Sequence, residues 1–146
     1  MKRLALLGAT LAVATLLVAP AAASAATYKV KNSAGHTVGT VRPLGAYYAQ
    51  VKNASGSKVG SVATEDGYWL VELPNHALIT LTRLSSTVWV VNAQGANPGP
   101  YVGRARHAGS SWALQKKLSG KWVTKGKVSG RCKGQFAAGA LRLLLW

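Results

Sequence analysis

The sequence predicts an all-β fold: a small single-domain meander, barrel or sandwich built partly from duplicated β-hairpins. Two observations carry that prediction. Short runs of Val, Tyr, Trp and Thr recur roughly every ten residues, punctuated by Gly, Asn, Ser and Pro, which is the spacing of strands and tight turns. The chain also repeats itself. Val30 to Val41 aligns with Val51 to Val62 at an offset of 21, with seven of twelve positions identical.

The first residues stand apart from that pattern. Lys2 and Arg3 precede an uncharged apolar run from Leu4 to Val18, followed by small residues from Ala19 to Ala26. This is the order of a secretory signal peptide, and Ala23-Ser24-Ala25 fits its small-x-small cleavage pattern. A membrane-spanning helix needs about 20 apolar residues, and Pro20 interrupts this run before that. Residues 1–25 are expected to be cleaved, leaving a single β-rich domain over 26–146. The address is then secreted or extracytoplasmic, at the cell envelope. No transmembrane helix is expected after cleavage.

Each repeat, 28–42 and 48–63, reads as strand, turn, strand. Tyr28 and Val30 alternate with Lys29 and Lys31, giving one dry face and one wet face. Asn32 and Asn53 begin turns that Gly35 and Gly56 complete. Gly39 and Gly60 fall inside the return strands, where glycine marks a bulge or a close backbone approach. Further strands are expected at Tyr68–Glu72, at 78–82, at 87–91 and around 101–103. Another strand pair flanks Ser119-Gly120. Asn97-Pro98-Gly99-Pro100 reads as a stiff loop.

Residues 136–146 are apolar apart from Arg142. Ala and Leu favour helix, but periodicity does not separate a short helix from a buried strand. The segment is expected in the core, and the β context favours a strand. An outer-membrane barrel ending in Trp146 would turn Arg142 towards lipid, which is costly.

Composition removes several kinds of chemistry. The chain carries 18 Lys and Arg against three carboxylates, a net charge of +15. Cleavage would remove Lys2 and Arg3. All three carboxylates lie between Glu65 and Glu72, with Asp66 beside Glu65. Adjacent turn carboxylates do not make the spaced pair that acid–base or glycosidase chemistry uses. His36, His76 and His107 have no metal-ligand spacing, so neither metal nor cofactor is expected. The lone Cys132 excludes an intrachain disulfide.

Cys132 supports the one enzymatic alternative. Ser129-Gly130-Arg131-Cys132-Lys133, with His107-Ala108-Gly109-Ser110 upstream, resembles the L,D-transpeptidase pattern. In that family a His-Gly pair precedes a Ser-His-Gly-Cys-x-Arg segment. The resemblance implies a cell-wall cysteine enzyme using Cys132 and His107, its thiolate favoured by Arg131 and Lys133. It covers only a few residues. The His before the Gly-Cys pair is missing, Arg131 separates Gly130 from Cys132, and Gly134 stands where the Arg belongs. The strand pairs also resemble, in pattern alone, the LURP-one and tubby-like barrels, which close strands around a C-terminal helix. That likeness reaches no diagnostic motif and the chain is short for it, so it is not adopted.

The leading expectation is a non-enzymatic basic protein. Arg104, Arg106, Lys116, Lys117, Lys121, Lys125, Lys127, Arg131 and Lys133 occur with no acid among them, interleaved with Trp112 and Trp122. Such a surface attracts polyanions. Outside the cytoplasm these are wall polymers, acidic glycans and anionic lipid headgroups. No motif for specific nucleic-acid recognition is present. Oligomeric state is not legible.

Overall fold

Among the described residues, alternating residues and tight turns produce ten antiparallel strands, each hydrogen-bonded to its sequence neighbours. The computed structural model describes residues 26–73, 75–93 and 100–146. The expected export segment at 1–25 and all but Pro100 of the loop expected at 97–100 lie outside the described residues. The strands are β1 (Tyr28–Asn32), β2 (Thr37–Pro43), β3 (Tyr48–Asn53), β4 (Lys58–Glu65) and β5 (Tyr68–Glu72). They continue as β6 (Leu78–Ser85), β7 (Val88–Asn92), β8 (Tyr101–Ala108), β9 (Ser111–Leu118) and β10 (Lys121–Ser129).

Of the three β architectures expected, the structure is a closed barrel. β10 returns to pair with β1, matching Val30 to Val128, Lys31 to Lys127 and Asn32 to Gly126. Closure removes both sheet edges, so no strand is left with a free row of N–H and C=O groups.

The duplicated hairpins share their turn chemistry. The Asn32 side chain accepts from the His36 N–H, and the Asn53 side chain accepts from the Ser57 N–H, both at 3.0 Å. Gly35 and Gly56 hold φ of 85° and 84°. A third copy is hidden in the sequence. The Leu73 N–H donates to Ala77 O and the His76 N–H to Leu73 O, repeating the backbone bonds of the first two loops. His76, at φ 60°, occupies the left-handed position that glycine holds in those loops.

Period-two alternation fills the lumen. Val30, Val41, Val51, Val62, Val71, Ile79, Leu81, Leu114 and Val128 are all buried. The other face carries Lys29, Arg42, Lys117 and Lys127. A lipid-crossing barrel has the opposite arrangement, apolar outside. Among the described residues no helix is long and apolar enough to cross a membrane.

The C-terminal segment forms helices, α1 (Gly134–Gly139) and α2 (Arg142–Leu145), instead of the strand that the β context favoured. The reason is physical. Once β10 has paired with β1, no edge remains for another strand. A helix satisfies its own backbone groups and can be buried on every side. α1 packs against β2, β4, β6, β7, β8 and β9. Strands so widely spread around a closed ring are reached together only from inside it. Phe136, Ala137, Ala138, Ala140 and Leu141 are accordingly at most 1% exposed.

Glycine in the strands makes room for α2. A Cβ on Gly39 would lie 2.6 Å from Leu143, on Gly126 2.9 Å from Leu144, and on Gly103 2.7 Å from Leu145. Gly60 faces Arg142. Successive helix residues therefore face β4, β2, β10 and β8, stepping two strands at a time around the ring. A helix residue turns about 100°, so the helix sweeps the wall as it advances. Gly39 and Gly60 serve both roles expected of them. Each also adjoins a bulge in its own strand, where Val38 of β2 and Val59 of β4 are the extra residues.

The other end is sealed by aromatic rings. Trp69 meets Trp89 and Phe136 edge-on at 6.4 and 5.8 Å. The Trp112 indole N–H donates to the Cys132 carbonyl at 2.8 Å, fixing the chain where it turns into the lumen.

Gly39→Ala and Gly126→Ala each place a methyl group against a backbone carbonyl, of Lys52 and Lys31 respectively, as well as against α2. Each is expected to lower unfolding free energy by about 1–3 kcal/mol, read from urea midpoints. Gly45→Ala meets nothing within 4 Å and should stay within about 0.5 kcal/mol of the parent.

Candidate polyanion-binding face

The alternation that buries Ala105, Leu114 and Val128 turns their neighbours outward, and strand register sets those side chains in rows. One row runs Arg106, Ala113, Lys127, Lys31 across β8, β9, β10 and β1. The next runs Arg104, Gln115, Thr124, and Lys117 opposite Trp122 follows.

Arg104 is held in place. Its Nε donates to Gln115 Oε1 at 2.5 Å, and Gln115 Nε2 donates to Thr124 Oγ1 at 3.1 Å. Its guanidinium carbon lies 4.6 Å from the Trp122 ring centre, and Lys117 Nζ lies 5.8 Å from the same ring. Partial burial, and then the charge of Arg106, lower the Arg104 pKa from its ordinary value. A guanidinium nevertheless stays charged at neutral pH.

Lys31 and Lys127 are direct cross-strand partners. Facing Cβ atoms in such a pair are about 4.5–5.5 Å apart, and like charges there are destabilising. No carboxylate offsets them. Glu65, Asp66 and Glu72 belong to β4, β5 and their turn, and β4 is diametrically opposite β9 in the ring. Glu72 is itself engaged. It meets His76 Nδ1 and Ser61 Oγ at 3.0 Å each, and those two bonds hold its carboxyl below the usual range.

The nine basic residues read from the sequence do not form one patch. Arg104, Arg106, Lys117 and Lys127 share the outer face. Lys116 lines a cleft of about 250 Å³ at the lumen mouth with Ala93, Val102, Leu145 and Trp146. Lys121 sits beside the β9–β10 turn, and Lys125 is the extra residue of a bulge between Thr124 and Gly126. Arg131 and Lys133 follow β10 at the opposite end, where the Arg131 carbonyl accepts from the Tyr28 hydroxyl. Lys31 was missed, because it joins the face only through barrel closure. Of the two tryptophans, Trp112 packs inward and Trp122 edges the patch.

The alternative pair fares differently. Cys132 is 5% exposed, and burial pushes its thiol from 9.0 up to about 12. Arg131 and Lys133 are exposed while Cys132 is buried, so they do not stabilise a thiolate as expected. His107 is exposed and meets the Trp112 ring edge-on at 5.0 Å. Trp112 thus contacts both His107 and the Cys132 backbone. Neither side chain is arranged to activate the other.

Compared with known proteins, the chain matches no protein-family model, no curated protein and no solved structure.

Native Cys132 should react with iodoacetamide at pH 8 slower than the urea-unfolded chain by roughly two orders of magnitude or more, because the thiolate is the nucleophile. A raised thiol pKa makes the neutral form the folded-state form. The unfolded chain releases this proton first, so the stabilising contribution is full below pH 9 and lost between about 9 and 12. Cys132→Ala should remove that share of alkaline destabilisation, measured as urea midpoint against pH.

Proposed function

We propose that the protein is an exported, non-enzymatic protein that binds anionic components of the cell envelope through the outer face of β8, β9, β10 and β1. Residues 1–25 support the export half of this reading. The binding half rests on one observation above the others, the Lys31–Lys127 juxtaposition. Two cations face each other across a strand pair with every carboxylate on the far wall. That arrangement weakens the fold slightly and gains its value only with an anion between the two. Arg104, braced by Gln115 and Trp122, adds a pre-positioned fork of the kind that holds carboxylate, sulfate or phosphate oxygens bidentately. The summed field of this face draws polyanions from a distance.

Two measurements test this reading together. The protein should be retained on a sulfated or phosphorylated matrix and released as salt rises, since screening shortens from about 10 Å at 0.1 M to about 3 Å at 1 M. Lys127→Glu should elute at lower salt yet unfold at higher urea, gaining about 0.2–1 kcal/mol from an opposite-charge pair with Lys31. Absent retention, or retention indifferent to salt, contradicts the proposal.

A further inference from the structure

We infer that the ligand of this face is a single extended chain of an acidic polysaccharide, lying along β9. The inference rests on the polyanion reading above and adds the shape and chemistry of the partner.

Strand geometry sets the shape. Ser111, Ala113, Gln115 and Lys117 form a central column on β9. Arg104 and Arg106 border it on β8, and Lys127 and Thr124 border it on β10. Adjacent strands are about 4.8 Å apart, so the flanking rows stand about 10 Å from each other. The six residue steps from Ser111 to Lys117 make the column about 20 Å long. One chain fits between the rows, with anionic groups turned to either side and small or uncharged residues beneath it.

The lining sets the chemistry. A concavity of about 380 Å³ opens on this wall, where the β1–β2 turn meets β9 and β10. Its polar groups are the side chains of Asn32, Ser33, Ser111 and Thr124, with Lys127 as its cation. Gly35, Ala113 and Gly126 leave the space open. Amides and hydroxyls pair with sugar hydroxyl groups. A ligand read by charge alone has no use for them, and cations would serve it better in those places. A bilayer is a poorer match. Trp122 lies against Arg104 and Lys117, and the exposed Leu44, Tyr47, Tyr68 and Leu84 lie in or beside the β2–β3, β4–β5 and β6–β7 turns. Leu118 and Val123, exposed on β9 and β10, share the parity of Lys116 rather than that of the basic rows.

The test uses the full mature chain in calorimetric titrations with heparin oligosaccharides of graded length, and with inorganic polyphosphate as a sugar-free polyanion. Affinity for the oligosaccharides should rise until the chain spans about 20 Å and then level off. Ser33→Ala with Ser111→Ala removes two hydroxyls of this concavity and no charge, and leaves the Gln115–Thr124 brace of Arg104 in place. It should lower the oligosaccharide-to-polyphosphate affinity ratio by about tenfold, two hydrogen bonds' worth, with the urea midpoint confirming the fold. Arg104→Ala and Lys127→Glu should weaken both ligands. If polyphosphate binds as tightly as a heparin chain of equal charge and the hydroxyl variant leaves the ratio unchanged, the polysaccharide inference is overturned while the polyanion reading stands. If neither ligand binds, both fall. If both bind but Arg104→Ala and Lys127→Glu change nothing, the site is elsewhere and the inference is overturned.

Discussion

A ten-stranded barrel encloses more space than inward side chains alone can fill. Eight strands already give an interior that side chains just occupy. Here the chain's own C-terminal segment fills the remainder, and most other features follow from that. The wall residues are mainly Val, small enough to leave a channel. The helix in the channel, α1, is built from Gly, Ala and Phe with one Gln, and every residue but Gln135 is buried. Glycines occur in β2, β4, β8 and β10 at the level of α2, where a Cβ would strike the plug or a neighbouring carbonyl. With a lone buried thiol and no disulfide, this packing is what holds the fold.

A filled lumen also frees the outer wall. The apolar groups that stabilise the barrel lie inside, so outward positions can carry charge without emptying the core. The wall is polarised: all three carboxylates sit on or between β4 and β5, and the Arg104–Lys127–Lys31 face lies across the ring. Facing lysines cost a few tenths of a kcal/mol to about 1 kcal/mol. A well-packed interior tolerates that much. The same packing explains Cys132. Neighbouring charges in sequence suggested an activated thiol, but the chain turns into the lumen at this point, and burial outweighs charges that point to solvent.

What could be read from the sequence was local. The duplicated hairpins were visible because their turns need Asn and Gly at fixed positions and their strands alternate. The third hairpin of that kind was not, because His76 stands where glycine stood before. Closure depends on β1 pairing with β10, about a hundred residues away, and no local pattern encodes it. The helical C-terminus became predictable only once the barrel was known to lack an edge. The basic stretch looked continuous, but a turn at Lys121, a bulge at Lys125 and the inward parity of Lys116 divide it. Lys31 joined from the other end of the chain.

The dependence of the barrel on its plug can be measured directly. A chain ending at Lys133 keeps all ten strands and lacks α1 and α2. Near-UV circular dichroism and urea unfolding, compared with the chain 26–146, read whether the strands close without their filling. The account predicts that the shortened chain loses the near-UV signal of its packed tryptophans and shows no cooperative urea transition. A cooperative transition with the midpoint and near-UV spectrum of the full chain would contradict it.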